Sequence, residues 1–146
     1  ISFFPLFLIP LTLLHYIKGD KMYYRTNQGK VKEFMETFGQ EVKEYPEWPD
    51  RETLDLRLEL IQEEVAELIA GAAQKDFENV TKELVDILYV VYGMGLSMGV
   101  DLNICFNEVH RSNMAKLVDG KVIRREDGKV LKPEGWQPPQ LAQFVE

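Results

Sequence analysis

Residues 83–98 read ELVDILYVVYGMGLSM. The run is apolar almost all round, yet Glu83 and Asp86 interrupt it, three residues apart and so on one helical face. Burying carboxylates beside neighbours such as Ile87 and Val90 is costly unless the charges are paired or bind a metal. As a membrane helix the run is too short, and it carries this acidic pair. It reads instead as the second half of a helix over about residues 77–98, capped by Asp76 and ended by Gly99.

Upstream, a helix is expected over about residues 51–74, with Asp50 as its N-cap. Leu54, Leu58, Ile61, Val65, Leu68 and Ala72 form one apolar stripe, while Leu56 and Leu60 lie on the other side. Glu63, Glu64 and Glu67 continue that second side, so they are expected on a buried or partner-facing surface, with Glu59 facing water. An earlier helix is expected over about residues 28–40, from Val31, Phe34, Met35 and Phe38, with Gly39 as its stop. A fourth is expected over about residues 101–117, started by Asp101. Beyond it, two short β-type runs flank Asp127-Gly128, a strong hairpin signal. The Pro-rich tail is expected to pack Trp136 across the domain. The fold class is thus all-α, a bundle of four to five helices with a short C-terminal β-hairpin.

Composition narrows the function. Of 146 residues, 17 are Lys or Arg and 24 Asp or Glu, a formal net charge of −7. That argues against binding a nucleic-acid polymer, which needs a basic surface. A single cysteine, Cys105, excludes an internal disulfide, fits a cytoplasmic location and reads as a buried thiol. Charge is unevenly spread: residues 51–110 hold 12 acids and 4 bases, whereas residues 111–132 hold 7 bases and 3 acids. Such a division suits a site that holds a divalent cation and a polyphosphate together. The apolar stretch at residues 1–21 contains Pro5 and Pro10, and lacks a basic start and a small-residue cleavage site. It is expected to be translated upstream sequence or a flexible apolar leader, with a truncated membrane anchor as the rival. Residues 22–146 then form a single domain.

Two helices therefore carry Glu63-Glu64-x-x-Glu67 and Glu83-x-x-Asp86. Packed antiparallel, as a short connection favours, they can bring four carboxylates together. Oxygen-only ligands at this density suit a hard cation, Mg²⁺ first and Mn²⁺ second. The first motif alone is an ordinary surface pattern; the second, set in an apolar helix, is the telling one. Asn113 and Lys116, again three apart, read either as exposed helix residues or as donors to phosphate oxygens. His110 receives no role.

The order EExxE, ExxD, EVHRSNMAKL, DGKVIRREDGKVLKP and a Pro-rich end resembles the MazG-like, all-α nucleoside triphosphate pyrophosphohydrolase superfamily. Within it the chain is similar to small single-domain proteins described as phosphoribosyl-ATP pyrophosphohydrolase-like. The resemblance runs from about Gln28 to Leu141 and weakens at EGWQPP. It implies an enzyme that cleaves a nucleotide between the α- and β-phosphates, giving a monophosphate and pyrophosphate. On that reading Glu64, Glu67, Glu83 and Asp86 hold Mg²⁺, and Glu63 orients or deprotonates the attacking water. Asn113 and Lys116 contact the phosphates, with Arg124 or Arg125 as helpers. Phe34 or Phe38 stacks on the base, unless both simply pack in the core. The resemblance also implies a homodimer or a dimer of dimers, which the double-faced helix at 51–74 asks for independently. The expected activity is hydrolysis of a (d)NTP in nucleotide-pool house-cleaning. The alternatives are a phosphoribosyl-ATP pyrophosphohydrolase of histidine synthesis and a non-catalytic helical dimerisation module.

Overall fold

A computed structural model describes residues 25–146; the expectations for residues 1–21 fall outside that range. Five helices are described: α1 (Asn27–Thr37), α2 (Arg51–Gln74), α3 (Phe77–Ser97), α4 (Leu102–Met114) and α5 (Ala142–Val145). The three aspartates expected at helix starts do cap them. Asp50 accepts from Thr53 N at 2.7 Å, Asp76 from Asn79 N at 3.0 Å, and Asp101 from Asn103 N at 2.9 Å. Each satisfies a backbone donor that the first helical turn leaves without a partner.

Only Lys75 and Asp76 separate α2 from α3, so the two helices fold back on each other. Their facing positions step by seven in opposite directions: 57 against 93, 64 against 86, 71 against 79. At the first step Gly93 leaves room for a guanidinium, since a Cβ there would lie 3.1 Å from Arg57 Nη1. Buried Arg57 donates through Nε to Ser97 Oγ at 2.9 Å and through Nη2 to Gln40 Oε1 at 3.1 Å. At the last step Gly71 packs on Asn79.

The inward arc of α2 therefore runs along Arg57, Ile61, Glu64, Leu68 and Gly71, taking Ile61 and Leu68 from the first stripe expected from sequence and Glu64 from the second side. Leu58, Val65 and Ile69 fall on one flank and remain exposed; Leu56, Glu63 and Glu67 fall on the opposite flank, also exposed. The buried core is small and joins α1 to α3 through Val31, Met35 and Leu96, with Val42 and Tyr92 packed against it. Fully buried Gln28 ties α1 to the start of α4, donating to Val100 O at 2.8 Å and accepting from Leu102 N at 2.8 Å.

The hairpin is corrected. Asp127-Gly128 does reverse the chain, but only isolated antiparallel bridges form, Val118 with Lys121 and Arg124 with Val130. No strand is present among the described residues, and every residue from 119 to 132 is exposed. A two-stranded ribbon with no further strand or helix to cover it is marginal, which explains why the turn forms without a ladder. The tail behaves as expected: half-buried Trp136 donates from Nε1 to Ser112 O at 2.6 Å. Gln140 N donates to Glu108 Oε1 at 2.8 Å, so the tail lies along α4. Among the described residues no single helix is long and apolar enough to cross a membrane.

The bend between α3 and α4, 111°, begins at Gly99. Its φ is +70°, and a Cβ there would meet Tyr45 O at 2.0 Å. Backbone cannot yield as a flexible side chain can. Gly99→Ala is expected to lower unfolding stability by about 2 kcal/mol or more, combining left-handed strain with the clash. Chemical denaturation measures it; an unchanged midpoint would contradict this account of the bend.

Candidate metal centre

The middle step of the α2–α3 register brings Glu64 opposite Asp86, with Glu83 one turn before Asp86. Each of the three offers a carboxylate oxygen, and the three oxygens lie within 4.8 Å of one another. Glu64 and Asp86 are half-buried, and Glu83 is 2 % exposed. Glu83 Oε1 accepts from Lys82 Nζ at 3.1 Å, but the buried Oε2 has no hydrogen-bond donor. A buried acceptor without a donor is expensive. A proton or a cation placed against it would relieve the crowding.

Glu64 registers that crowding. Burial first, then the neighbouring carboxylates of Asp86, Glu67 and Glu83, hold it above the ordinary glutamate range. Lys82 is shifted in the same direction for the opposite reason: its bonds to Asp86 and then Glu83 favour its charged form and strengthen its hold on its proton. The donor set is all oxygen, carries several negative charges and includes an unsatisfied buried acceptor, so it fits a hard divalent cation.

The expected site residues are distributed as follows. Glu64, Glu83 and Asp86 converge. Glu67 lies near enough to repel Glu64 but stands on the exposed flank of α2, outside the group of three. Glu63 shares that flank and is exposed. Asn113 and Lys116 are brought to each other, Nζ to Oδ1 at 2.8 Å, at the end of α4. Lys116 makes no ion pair with the three carboxylates. Its nearest other partner is the Trp136 ring, whose centroid is 5.4 Å away, with Lys132 Nζ at 4.6 Å. Arg124 bonds Gly128 O at 2.9 Å, and Arg125 pairs with Asp127, so both brace the turn. Phe34 and Phe38 are not core residues: they are 38 % and 67 % exposed, with ring centroids 4.4 Å apart. Tyr89, one turn past Asp86, meets Phe34 edge-on at 5.7 Å. Cys105 is buried, and burial raises its thiol pKa, as an inert thiol requires.

Three residues escaped the sequence reading. Lys82 carried a signal, since it sits four residues before Asp86, where ion pairs form on helices. Tyr89 looked like one more apolar position of α3. Arg57 gave no local sign, because its burial depends on Gly93 and Ser97 of another helix.

Residues 31–113 match the family model described as phosphoribosyl-ATP pyrophosphohydrolase. The chain belongs to that family. The match covers more than half of the chain, carries Glu63, Glu64, Glu67, Glu83, Asp86 and Asn113, and accords with the resemblance to the MazG-like all-α superfamily. Lys116, Arg124, Arg125 and Trp136 lie beyond it. A relative from Acanthamoeba polyphaga mimivirus, described as uncharacterized, is 40% identical over 84 residues. That alignment covers 53% of this chain and 33% of the relative, so the chain spans about a third of that protein's length.

The raised Glu64 pKa has a definite consequence for stability. A group that binds its proton more tightly when folded stabilises the fold below the ordinary glutamate value, near pH 4.3 (about). That contribution is lost as pH rises through the raised folded value. In chelator, the native protein is therefore expected to lose stability as pH climbs out of the ordinary glutamate range. Glu64→Gln should show a flatter profile. Melting curves across that range test it; identical slopes in the two proteins would refute the crowding.

Proposed function

We propose that this protein is a divalent-metal-dependent pyrophosphohydrolase acting on nucleoside triphosphates, (d)NTPs first, releasing a monophosphate and pyrophosphate. The observation that carries the reading is the convergence of Glu64, Glu83 and Asp86, with a buried Glu83 oxygen that lacks a donor. These three, with Glu67 beside them, would hold Mg²⁺. When bound, the ion would neutralise phosphate charge and favour its shift onto the leaving pyrophosphate. Glu63, next to Glu64 and open to solvent, would accept the proton of a water whose oxygen attacks the α-phosphorus as the bond to the bridging oxygen breaks. Asn113 and Lys116 would donate to phosphate oxygens, with Arg124 or Arg125 as helpers. The exposed rings of Phe34, Phe38 and Tyr89, one turn from Asp86, would offer a face to the base.

A second substrate has specific support, because the description of the matching family names phosphoribosyl-ATP. It too carries a triphosphate. A panel of nucleotides with Mg²⁺, assayed for pyrophosphate release, separates the two substrates. Glu64→Gln and Asp86→Asn are each expected to lower kcat/KM by at least about 10²-fold, and Glu63→Gln to lower kcat by about 10² or more. Full activity in the first two variants would sink the metal assignment. Pyrophosphate release from no nucleotide would favour a non-catalytic helical module.

We also propose that a second copy of the chain covers the outer faces of α2 and α3. Ile69, Leu84, Val85 and Leu88 are each at least half exposed, and an apolar surface of that extent marks an interface. Activity per chain should fall on dilution, in step with the loss of dimer seen by analytical ultracentrifugation. Unchanged activity in a proven monomer would refute a shared site.

A further inference from the structure

The ammonium of Lys82 lies among the carboxylates that the proposed function gives to a metal. It donates to Asp86 Oδ2 at 2.7 Å and to Glu83 Oε1 at 3.1 Å. Lys82 directly precedes Glu83 and stands one turn before Asp86, so α3 itself builds the contact. Its side chain is 60 % exposed, whereas that of Glu83 is 3 % exposed. Charge holds it in place, not packing, and exposed ion pairs hold weakly.

The arrangement is also incomplete. Lys82 satisfies one oxygen of Glu83, while Oε2, buried beside Glu64, still has no donor. One positive charge thus stands against three convergent carboxylates. A divalent ion carries twice that charge and can take an oxygen from each of them. It cannot share the oxygens of Glu83 and Asp86 with an ammonium, because two cations at that separation repel.

We propose that Lys82 is a tethered counter-cation of the carboxylate cluster: it holds Glu83 and Asp86 in the metal-free protein, and a divalent ion must displace it to bind. Lys82 then lowers metal affinity while stabilising the empty fold. The inference rests on the metal reading above, and its two effects have opposite signs.

The test uses the full chain, with Lys82→Met and Lys82→Arg beside the native protein. Mn²⁺ alone is titrated, and the free ion is followed by its electron paramagnetic resonance signal. Lys82→Met is expected to bind Mn²⁺ about three- to tenfold more tightly, from loss of one nearby charge. Lys82→Arg, which keeps that charge, should stay close to native. In chelator, Lys82→Met should melt below the native protein, and Mn²⁺ should raise its melting temperature by more. If Lys82→Met bound Mn²⁺ no more tightly than native, or melted no lower in chelator, the proposal would fail with the metal reading intact. If neither protein bound Mn²⁺, both would fail.

Discussion

The antiparallel register of α2 on α3 is the constraint on which the rest depends. Facing positions recur every seven residues, so three contacts lie along one line: Arg57 at Gly93, Glu64 at Asp86, Gly71 at Asn79. The outer two fix the middle one. A glycine at 93 admits the guanidinium of Arg57, and a glycine at 71 lets the helices close near their connection. A shift of one residue along α2 would turn its side chains by about 100°. That would replace Glu64 opposite Asp86 with Glu63 or Val65, and Glu64 would leave the cluster. The polar middle of the interface is therefore held by close packing at its ends, not by attraction between its charges.

Those charges oppose the fold that gathers them. Glu64, Glu67, Glu83 and Asp86 repel one another, and burial adds to the cost by raising the Glu64 pKa. One of the two cations on the same helices partly offsets this. Lys82 answers at the surface; Arg57, two turns before Glu64, is buried and bonded only to neutral groups, Ser97, Gln40 and Met35. Desolvation disfavours the charge on Arg57. The interior of the helix pair thus orders a cation and an anion cluster along one axis, leaving the acidic end short of positive charge.

How far this was legible in the sequence follows from the range of each interaction. Caps are local, so Asp50, Asp76 and Asp101 announced three helix starts almost to the residue. Glu83 and Asp86 were conspicuous because an apolar helix has no other use for them. The inward arc of α2 was legible in part: Ile61, Leu68 and Glu64 were marked, but its most buried side chain is an arginine, and hydrophobic periodicity gave the flanks as much weight as the interface. The hairpin was over-read for a related reason. Asp127-Gly128 encodes a turn, but a ladder needs neighbours to cover it, and the described residues supply none there.

The uneven charge of the sequence also gains a physical meaning. Among the described residues the basic segment pairs with the acidic one at their junction, Arg111 with Glu108, and not with the carboxylates gathered between α2 and α3. Arg125 pairs with Asp127, Arg111 with Glu108, and Lys116 and Lys132 stand over Trp136, whose indole is anchored to Ser112. Glu108, held down to about 2 by Arg111 and the Gln140 amide, keeps the tail against α4 across the working pH range. The bases are thus organised by α4 and its tail, independently of the carboxylates on α2 and α3. On the proposed function this separation is useful. Direct pairing of Lys116 or Lys132 with the acidic cluster would cost both halves their capacity for ligand, whereas a metal-bound polyphosphate offers a cation to one half and anions to the other.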